Sequence, residues 1–283
     1  MATDFQTVVR SIGDLPPMPA VATKVLQLLQ NPETNFSQLG EAISSDPAVS
    51  ARLLKVANSA FFSLKRQVKT LDHAIAIVGE RTLRSLVLAA SLEGMNKSYG
   101  LLEKMLWEDA IGCAVGARFL ARRFNTVDPE EAFLAGLFRH LGKIVMNYSD
   151  PENYRSLAEA VYAGDGNFDE IEGRYFPYAH AVVGAAVLNK WNFSDDLIQC
   201  TLHHEDLAVE KEDNEVQYRL IATVNLADRI CARLGIGARE PNEMLDVLET
   251  KGAEALTLDR GQVDMAIEEI NEIFTENRDS FLS

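Results

Sequence analysis

Apolar positions recur with helical spacing along nearly the whole chain. Val21, Val25, Leu28 and Leu29 follow the i, i+4, i+7, i+8 pattern that places side chains on one face of a helix. Alternation of apolar and polar residues over the length of a strand is nowhere persuasive. The pattern therefore predicts an all-α fold.

Residues with strong backbone preferences divide this pattern into separate helices. Asp46 and Pro47 form an N-cap and a favoured first helical residue, and Gly79 interrupts the apolar run that surrounds it. Pro129 opens a helix that is predicted to continue through Ile144. Further helices are predicted near residues 102–119, 152–162, 178–190, 195–204, 215–234, 241–250 and 262–276.

Charge is distributed unevenly between two parts of the chain. Residues 1–100 carry 10 basic and 8 acidic side chains, whereas residues 101–283 carry 17 basic and 34 acidic ones. The step coincides with the weakly patterned stretch Gly94–Gly100. We therefore predict a boundary near residue 98, which separates an N-terminal helical lobe (1–98) from a second helical lobe (99–283) that ends in acidic helices.

The net charge of -15 excludes several classes of binding protein. Non-specific binding to nucleic acid or to an anionic membrane favours a cationic surface, so we expect neither as a partner. A local basic cluster is attributed to solvated helix faces rather than to DNA binding. It comprises Lys65, Arg66, Lys69, Arg81 and Arg84.

Hydrophobic content and cysteine usage indicate a soluble protein of the cytoplasm. The longest apolar stretches are far too short to span a membrane. The three cysteines are widely spaced and odd in number, which is typical of free thiols in a reducing compartment.

The histidines offer several candidate metal ligands. His203 and His204 lie three and four residues after Cys200, a spacing that could place a metal site on one helix face. A small buried cysteine beside a polar helix end is the simpler interpretation. His180 could be a ligand or a half-buried aromatic residue, the commoner case. Asp228 lies in mid-helix between apolar residues, so it either pairs with a cation or binds a ligand.

The segment Gly136-Leu137-Phe138-Arg139-His140-Leu141-Gly142-Lys143 resembles the HD-superfamily helix. In that helix a His-Asp doublet lies between apolar residues and is followed by an Ile-Gly-Lys tail. Gly142 and Lys143 keep the tail, but Arg139 and His140 occupy the doublet positions.

Four motifs in the first third of the chain resemble the HDOD family, the HD-related output domains of bacterial signalling proteins. The resemblance extends from about Leu15 to His204 and implies a two-lobed helical bundle whose second lobe is similar to an HD domain. The motifs are Leu15-Pro16-Pro17-Met18-Pro19, Ala42-Ile43-Ser44-Ser45-Asp46-Pro47, Leu53-Leu54-Lys55-Val56-Ala57-Asn58-Ser59 and Ala74-Ile75-Ala76-Ile77-Val78-Gly79.

The HD resemblance implies a set of metal-ligand positions, of which this chain keeps only some. The early positions have degenerated to Asp109, Arg139 and His140. The later positions keep residues that can bind a metal. These residual ligand positions are His180, His203, His204 and Asp228.

Arg139 weakens the case for an enzyme. A guanidinium has no lone pair to give and repels a divalent cation. We hypothesise that it occupies the vacated metal space and bridges Asp109, and Asp228 as well. The alternative is that Arg139 is a solvated surface charge.

The resemblance and the damaged ligand set together predict a non-catalytic bacterial signalling module. It would bind an unidentified signalling protein or a small regulator, without catalytic residues and without an expected cofactor. A residual divalent metal at the later positions stays open. The alternative is a divergent metal-dependent phosphohydrolase of the HD type, which acts on a nucleotide or another phosphoester.

Overall fold

The computed structural model describes residues 15–58, 68–95 and 100–281, without the side chains of residues 280 and 281. Within these ranges the regular structure is helical and no strand occurs, which confirms the predicted all-α class. None of the described helices has the length and apolar character needed to cross a membrane. The α-helices are α1 (Ala20–Leu29), α2 (Phe36–Ser44), α3 (Pro47–Ala57), α4 (Leu71–Met95), α5 (Leu101–Phe124), α6 (Pro129–Phe138), α7 (Leu141–Ser149), α8 (Pro151–Ala163), α9 (Phe168–Ile171), α10 (His180–Lys190), α11 (Asp195–His203), α12 (Glu215–Leu234), α13 (Lys251–Ala255) and α14 (Arg260–Phe281), with 3-10 turns at Glu172–Arg174 and Val247–Glu249.

The predicted helix boundaries near Asp46 and Gly79 are confirmed. The Asp46 side chain accepts hydrogen bonds from the first amides of α3, and Pro47 is the first helical residue. Gly79 interrupts α4 with a φ of 76° and a ψ of 166°, a conformation that a residue with a side chain rarely adopts. Helix α4 therefore consists of two segments that meet at Gly79.

The helix predicted from Pro129 to Ile144 is in fact two helices. Asp128 caps α6 as the sequence indicates, but α6 ends at Phe138 and α7 begins after a turn formed by Arg139 and His140. The backbone of His140 has a φ of -106° and a ψ of 21°, outside the helical region. The prediction was wrong because apolar residues keep their helical spacing on both sides of the turn, so the pattern does not reveal it.

The acidic helix predicted near residues 241–250 is also wrong. This segment contains turns and the short 3-10 turn Val247–Glu249. Asp246 accepts a hydrogen bond from the Leu248 amide and pairs with Arg260. Asp side chains that bond to nearby backbone amides compete with helix formation, which explains the difference.

Contacts divide the described residues into two compact units. One unit joins residues 15–17 to residues 100–264, and the other joins residues 18–95 to residues 265–281. The boundary near residue 98, with lobes 1–98 and 99–283, stays a prediction. Every candidate metal ligand and degenerate ligand position named above lies in the unit that contains residues 100–264.

In that unit, α5 packs against α6 and α12, and α7 packs against α10. A Cβ atom on Gly136 of α6 would lie 2.8 Å from the main-chain oxygen of Cys113 in α5, so these two helices approach unusually closely. The approach brings Arg139, one turn after Gly136, beside Asp109, one turn before Cys113. Helix packing thus brings together two residues that lie far apart in the sequence.

The other unit contains a small apolar cluster of Ala57, Val68 and Ala74, with Leu54 and Val78 packed against it. Of the basic cluster, Lys65 and Arg66 lie outside the described residues. The remaining members, Lys69, Arg81 and Arg84, are exposed.

Candidate functional site

A fully buried arginine joins two acidic side chains at the turn between α6 and α7. The Arg139 Nε donates to Asp228 Oδ1 at 2.7 Å, and its Nη2 donates to Asp109 Oδ1 at 2.5 Å. Its Nη1 donates to the main-chain oxygens of Asp109 and Gly136, each at 3.2 Å. The hypothesised bridge is confirmed, and the alternative of a solvated surface charge is wrong.

Burial and charge act in opposite directions on this ion pair. Burial acts to lower the pKa of Arg139, but Asp109 and Asp228 outweigh it and raise that pKa well above its ordinary value. Burial acts to raise the pKa of Asp228, but the Arg139 guanidinium holds it well below its ordinary value. Arg139 and Asp228 therefore both stay ionised over the physiological pH range.

Three buried histidine rings form a cluster next to the ion pair. His140 comes from the turn between α6 and α7, His180 begins α10, and His204 follows the last residue of α11. The ring centroid of His140 lies 5.1 Å from the centroid of each of the other two rings. The centroids of His180 and His204 are 5.8 Å apart. Three separate elements thus converge on one small volume.

Each of these rings is anchored through its Nδ1 atom to an oxygen acceptor. An N–H must point at such an acceptor, so in the neutral ring Nε2 carries the free lone pair. The anchoring bonds run from His140 to Asp109 Oδ2 at 2.8 Å, from His180 to Glu172 Oε2 at 3.0 Å, and from His204 to the Thr201 main-chain oxygen at 3.0 Å.

The Nε2 atoms point into the shared space. Those of His180 and His204 are buried and make no hydrogen bond, while that of His140 lies 3.2 Å from the Nζ of Lys143. The Oε1 atom of Glu205 lies 3.6 Å from the Nε2 atoms of both His180 and His204. One donor atom from each of the four residues His140, His180, His204 and Glu205 lies within 4.8 Å of the others.

Burial sets the charge of this cluster. It is the main reason why the pKa values of His140 and His180 are well below the ordinary value, and why that of His204 falls to about 3. Burial, with the nearby Asp169 carboxylate second, raises the pKa of Glu205 to about 8. At neutral pH the three imidazoles are uncharged and able to donate a lone pair.

The structure brings together only some of the residual ligand positions. His180 and His204 share the cluster, whereas His203 is partly exposed and its Nδ1 lies 3.3 Å from Asp206. Asp228 pairs with Arg139, and one of its oxygens also lies within 4.8 Å of donor atoms of Asp109 and His140. Cys200, like Cys113 and Cys231, is a buried free thiol. Burial raises the pKa of all three.

Sequence reasoning missed two residues of the site and ranked a third as degenerate. Glu205 directly follows the His203-His204 pair, and this adjacency is the sequence signal that points to it. Glu172 lies eight positions before His180 with no motif around it, so nothing in the sequence points to it. His140, at a degenerate ligand position, proves to be the third member of the histidine cluster.

A small pocket of about 150 Å³ lies beside this cluster. The Nζ of Lys143 lies 4.4 Å from the centroid of the Phe168 ring at its wall. The wall combines charged and aromatic side chains, among them Asp109, His140, Lys143, Tyr154, Tyr162 and Phe168.

A family model of the HDOD domain matches residues 15–207 of the chain. The protein belongs to the HDOD family. The matched range agrees with the resemblance from Leu15 to His204. It includes Asp109 and Arg139 of the ion pair and all residues of the histidine cluster. Asp228 and the acidic C-terminal residues lie beyond it.

An uncharacterized protein of Treponema pallidum is 26% identical over 221 residues, which are 77% of this chain. The chain spans 43% of that longer relative.

Solved structures share the fold at lower identity. An HDOD domain protein of unknown function from Geobacter sulfurreducens has a TM-score of 0.77 at 22% identity and covers 98% of this chain and 95% of its own. A Shewanella amazonensis protein with the provisional name of phosphohydrolase has a TM-score of 0.69 at 22% identity. The match covers 98% of this chain and 96% of the Shewanella chain. A Marinobacter aquaeolei protein provisionally named for signal transduction has a TM-score of 0.65 at 20% identity, with 99% and 60% covered.

Proposed function

We propose that this HDOD protein is a non-catalytic regulatory module that acts by binding a signalling protein or a small regulator. The observation that carries the proposal is the fully buried Arg139, which occupies the space between Asp109 and Asp228. These are positions at which the HD resemblance implies metal ligands. An immobile cation stands where a catalytic ion would be needed.

The charge of Arg139 makes a catalytic metal there energetically unfavourable. At about 4 Å and an effective dielectric constant near 20, a divalent ion and a guanidinium repel each other by roughly 8 kcal/mol. Asp109 and Asp228 each contact Arg139 through one carboxylate oxygen, so the guanidinium lies between the two side chains. The site therefore lacks the metal-bound water that phosphoester hydrolysis by this class of enzyme uses.

The pocket beside His140 supports the binding of a small ligand. Its volume of about 150 Å³ is below the roughly 300–1,000 Å³ of pockets that enclose drug-sized ligands. Lys143 and the aromatic wall suit a small anion or an acidic side chain of a partner protein. A cyclic dinucleotide would be too large for this pocket.

Hydrolysis assays test the non-catalytic half of the proposal. We expect no turnover of cyclic dinucleotides, nucleotides or a chromogenic phosphodiester with added Mn²⁺, Fe²⁺ or Ni²⁺, beyond that of an Asp228→Asn variant. Turnover by the wild type that this variant loses would overturn the proposal. Turnover that is equal in the wild type, in Asp228→Asn and in a His204→Gln variant would identify a contaminating enzyme.

Affinity capture tests the binding half. The full chain and a Lys143→Glu variant are used in parallel to capture proteins and small molecules from cells of the source organism. A partner that the wild type retains and the variant loses would support binding at the pocket. Identical captured sets would contradict binding there.

A divergent metal-dependent phosphohydrolase is the second candidate function. Its specific support is the histidine cluster, in which three neutral imidazoles present free Nε2 lone pairs to one volume. A metal bound there could activate a water without using the positions that Arg139 blocks. Metal-dependent turnover that survives in the Asp228→Asn variant but not in a His204→Gln variant would favour this candidate.

A further inference from the structure

We propose that His140, His180 and His204 bind a single transition-metal ion of the zinc class through their Nε2 atoms, with Glu205 as the fourth ligand. This site adjoins the Asp109–Arg139–Asp228 ion pair through the His140–Asp109 contact, but it uses none of those three side chains as a ligand. The inference goes beyond the proposed regulatory function, since binding of the ion requires neither catalysis nor a partner.

The unsatisfied Nε2 atoms are the first support. The Nε2 atoms of His180 and His204 are buried and make no hydrogen bond in the described structure. Buried polar atoms in folded proteins nearly always have a partner, so two neighbouring exceptions that face the same space indicate a missing ligand. An electron-pair acceptor satisfies both atoms at once.

The anchoring of the opposite ring nitrogens is the second support. Histidines that bind a metal almost always donate their other N–H to a carboxylate or a main-chain oxygen, which fixes the ring and its tautomer. All three rings show this arrangement, with Asp109, Glu172 and Thr201 as the acceptors. The rings are therefore already oriented for binding.

The distances are close to those of a four-coordinate site. Zinc–ligand bonds of about 2.0–2.1 Å separate tetrahedral ligand atoms by roughly 3.3 Å. Glu205 Oε1 lies 3.6 Å from two of the histidine nitrogens, and all four donor atoms lie within 4.8 Å of one another. Side-chain movements on the order of 1 Å would complete the coordination.

The donor set selects the class of metal. Three imidazoles and one carboxylate suit zinc and similar transition metals, whereas magnesium and calcium prefer oxygen ligands throughout. The side chain of Glu205 is 29% exposed, so the ion has a route from solvent.

Arg139 does not prevent this ion from binding. The guanidinium contacts one oxygen of Asp109, and His140 Nδ1 contacts the other oxygen. The negative carboxylate and the imidazole ring therefore lie between the guanidinium and His140 Nε2. The ion would bind at the far side of the ring.

Lys143 is the group that opposes metal binding most directly. Its Nζ lies 3.2 Å from His140 Nε2 and has to leave when the metal arrives. The ammonium also repels the ion, so its removal should strengthen binding. A substitution that increases affinity is a result that unfolding or a general loss of structure cannot produce.

The experiment uses the full chain without an affinity tag, after chelator treatment. Zn²⁺ binding is measured by titration calorimetry, and Co²⁺ is used as a spectroscopic probe of four-coordinate geometry. We expect one equivalent of Zn²⁺ and a higher affinity in Lys143→Met. His204→Gln and Glu205→Gln should each lower the affinity at least as much as the loss of an outer-shell partner does, which is about 10- to 100-fold. His203→Gln is the matched control, because this adjacent histidine lies outside the cluster, and it should bind as the wild type does.

Absence of saturable Zn²⁺ binding would overturn the proposal. So would an equal loss of affinity in His203→Gln and His204→Gln, which would place the metal at the surface. Glu205→Gln and Lys143→Met change partly exposed side chains, so they keep the test decisive if His204→Gln does not fold. Zn²⁺ binding without hydrolysis supports this site and the regulatory function together, whereas Zn²⁺ binding with hydrolysis supports the site and overturns the regulatory function.

Discussion

Arg139 differs from an ordinary surface arginine in that its whole side chain is buried between two carboxylates. A buried pair contributes little net stability when complete, because desolvation opposes the attraction. Removal of one partner is far more harmful, since it leaves buried charge without compensation.

We predict that Arg139→Met lowers the free energy of unfolding by about 3–5 kcal/mol, because Asp109 and Asp228 would then face each other without a cation. Urea unfolding followed by circular dichroism measures the change. The control is Arg260→Met, which removes an equally short pair with Asp246 at an exposed position and should have a much smaller effect. Equal losses in the two variants would contradict the role of burial.

The sequence allowed the ion pair to be predicted but not the complete histidine cluster. Arg139 and Asp109 stand out because opposite charges replace two expected metal ligands. His140 stands where the motif has an aspartate, so the sequence predicts a degenerate ligand position there, with the alternative that the histidine turns inward and binds a metal. Its real role depends on the turn after Phe138, which the apolar pattern conceals.

At the scale of helices, the histidine cluster depends on an unusually close contact between α7 and α10. A Cβ atom on Gly142 would lie 1.8 Å from the main-chain oxygen of His180, and one on Gly184 would lie 3.0 Å from the amide nitrogen of Gly142. Glycine at both positions lets the two helices touch backbone to backbone. That contact brings His140 to His180.

We predict that Gly142→Ala destabilises the protein by about 3 kcal/mol or more, because the added methyl group meets backbone that cannot rotate away. Thermal unfolding measures the loss. In the control Gly173→Ala the methyl group meets no atom within 4 Å, and the unfolding temperature should change little. A tolerated Gly142→Ala would show that α7 and α10 can separate without loss of the fold.

The pattern of apolar residues predicted the helices well where a cap or a proline marks their ends. Asp46, Asp128 and Gly79 are examples, because each acts through its local backbone chemistry. Prediction failed at residues 139–140 and 241–250. There the backbone is set by contacts with distant segments or by competing side-chain hydrogen bonds, which periodicity does not record.

At the scale of the whole molecule, the buried histidines link the stability of the fold to pH. Their pKa values are lowered in the folded protein, so below about pH 6.5 the unfolded chain binds protons that the folded chain excludes. Their contribution to stability is present above that pH and is lost as the pH falls. Glu205 acts in the opposite direction, because its raised pKa lets the folded chain bind a proton between about pH 4.5 and 8.

We predict that the metal-free protein loses stability between pH 6.5 and 5 by up to about 1.4 kcal/mol per pH unit for each proton taken up on unfolding. Burial raises the pKa of Glu172 as well as that of Glu205, so three histidines against two glutamates give a net uptake of about one to two protons. The free energy of unfolding is measured by urea titration at several pH values. His204→Gln should lower the slope of the unfolding free energy against pH by the amount that corresponds to about one proton. An unchanged slope would contradict the neutral state of His204.

The ion pair also restricts how this sequence can change. Arg139→His alone would restore one metal ligand but leave Asp109 opposite Asp228 with no cation between them. Asp109→His alone would place an imidazole against a guanidinium that stays charged. Each single step passes through a less stable protein, so histidines at positions 109 and 139 would have to appear together. Sequences of this fold with the buried ion pair are therefore separated by a destabilised intermediate from sequences with histidines at both positions.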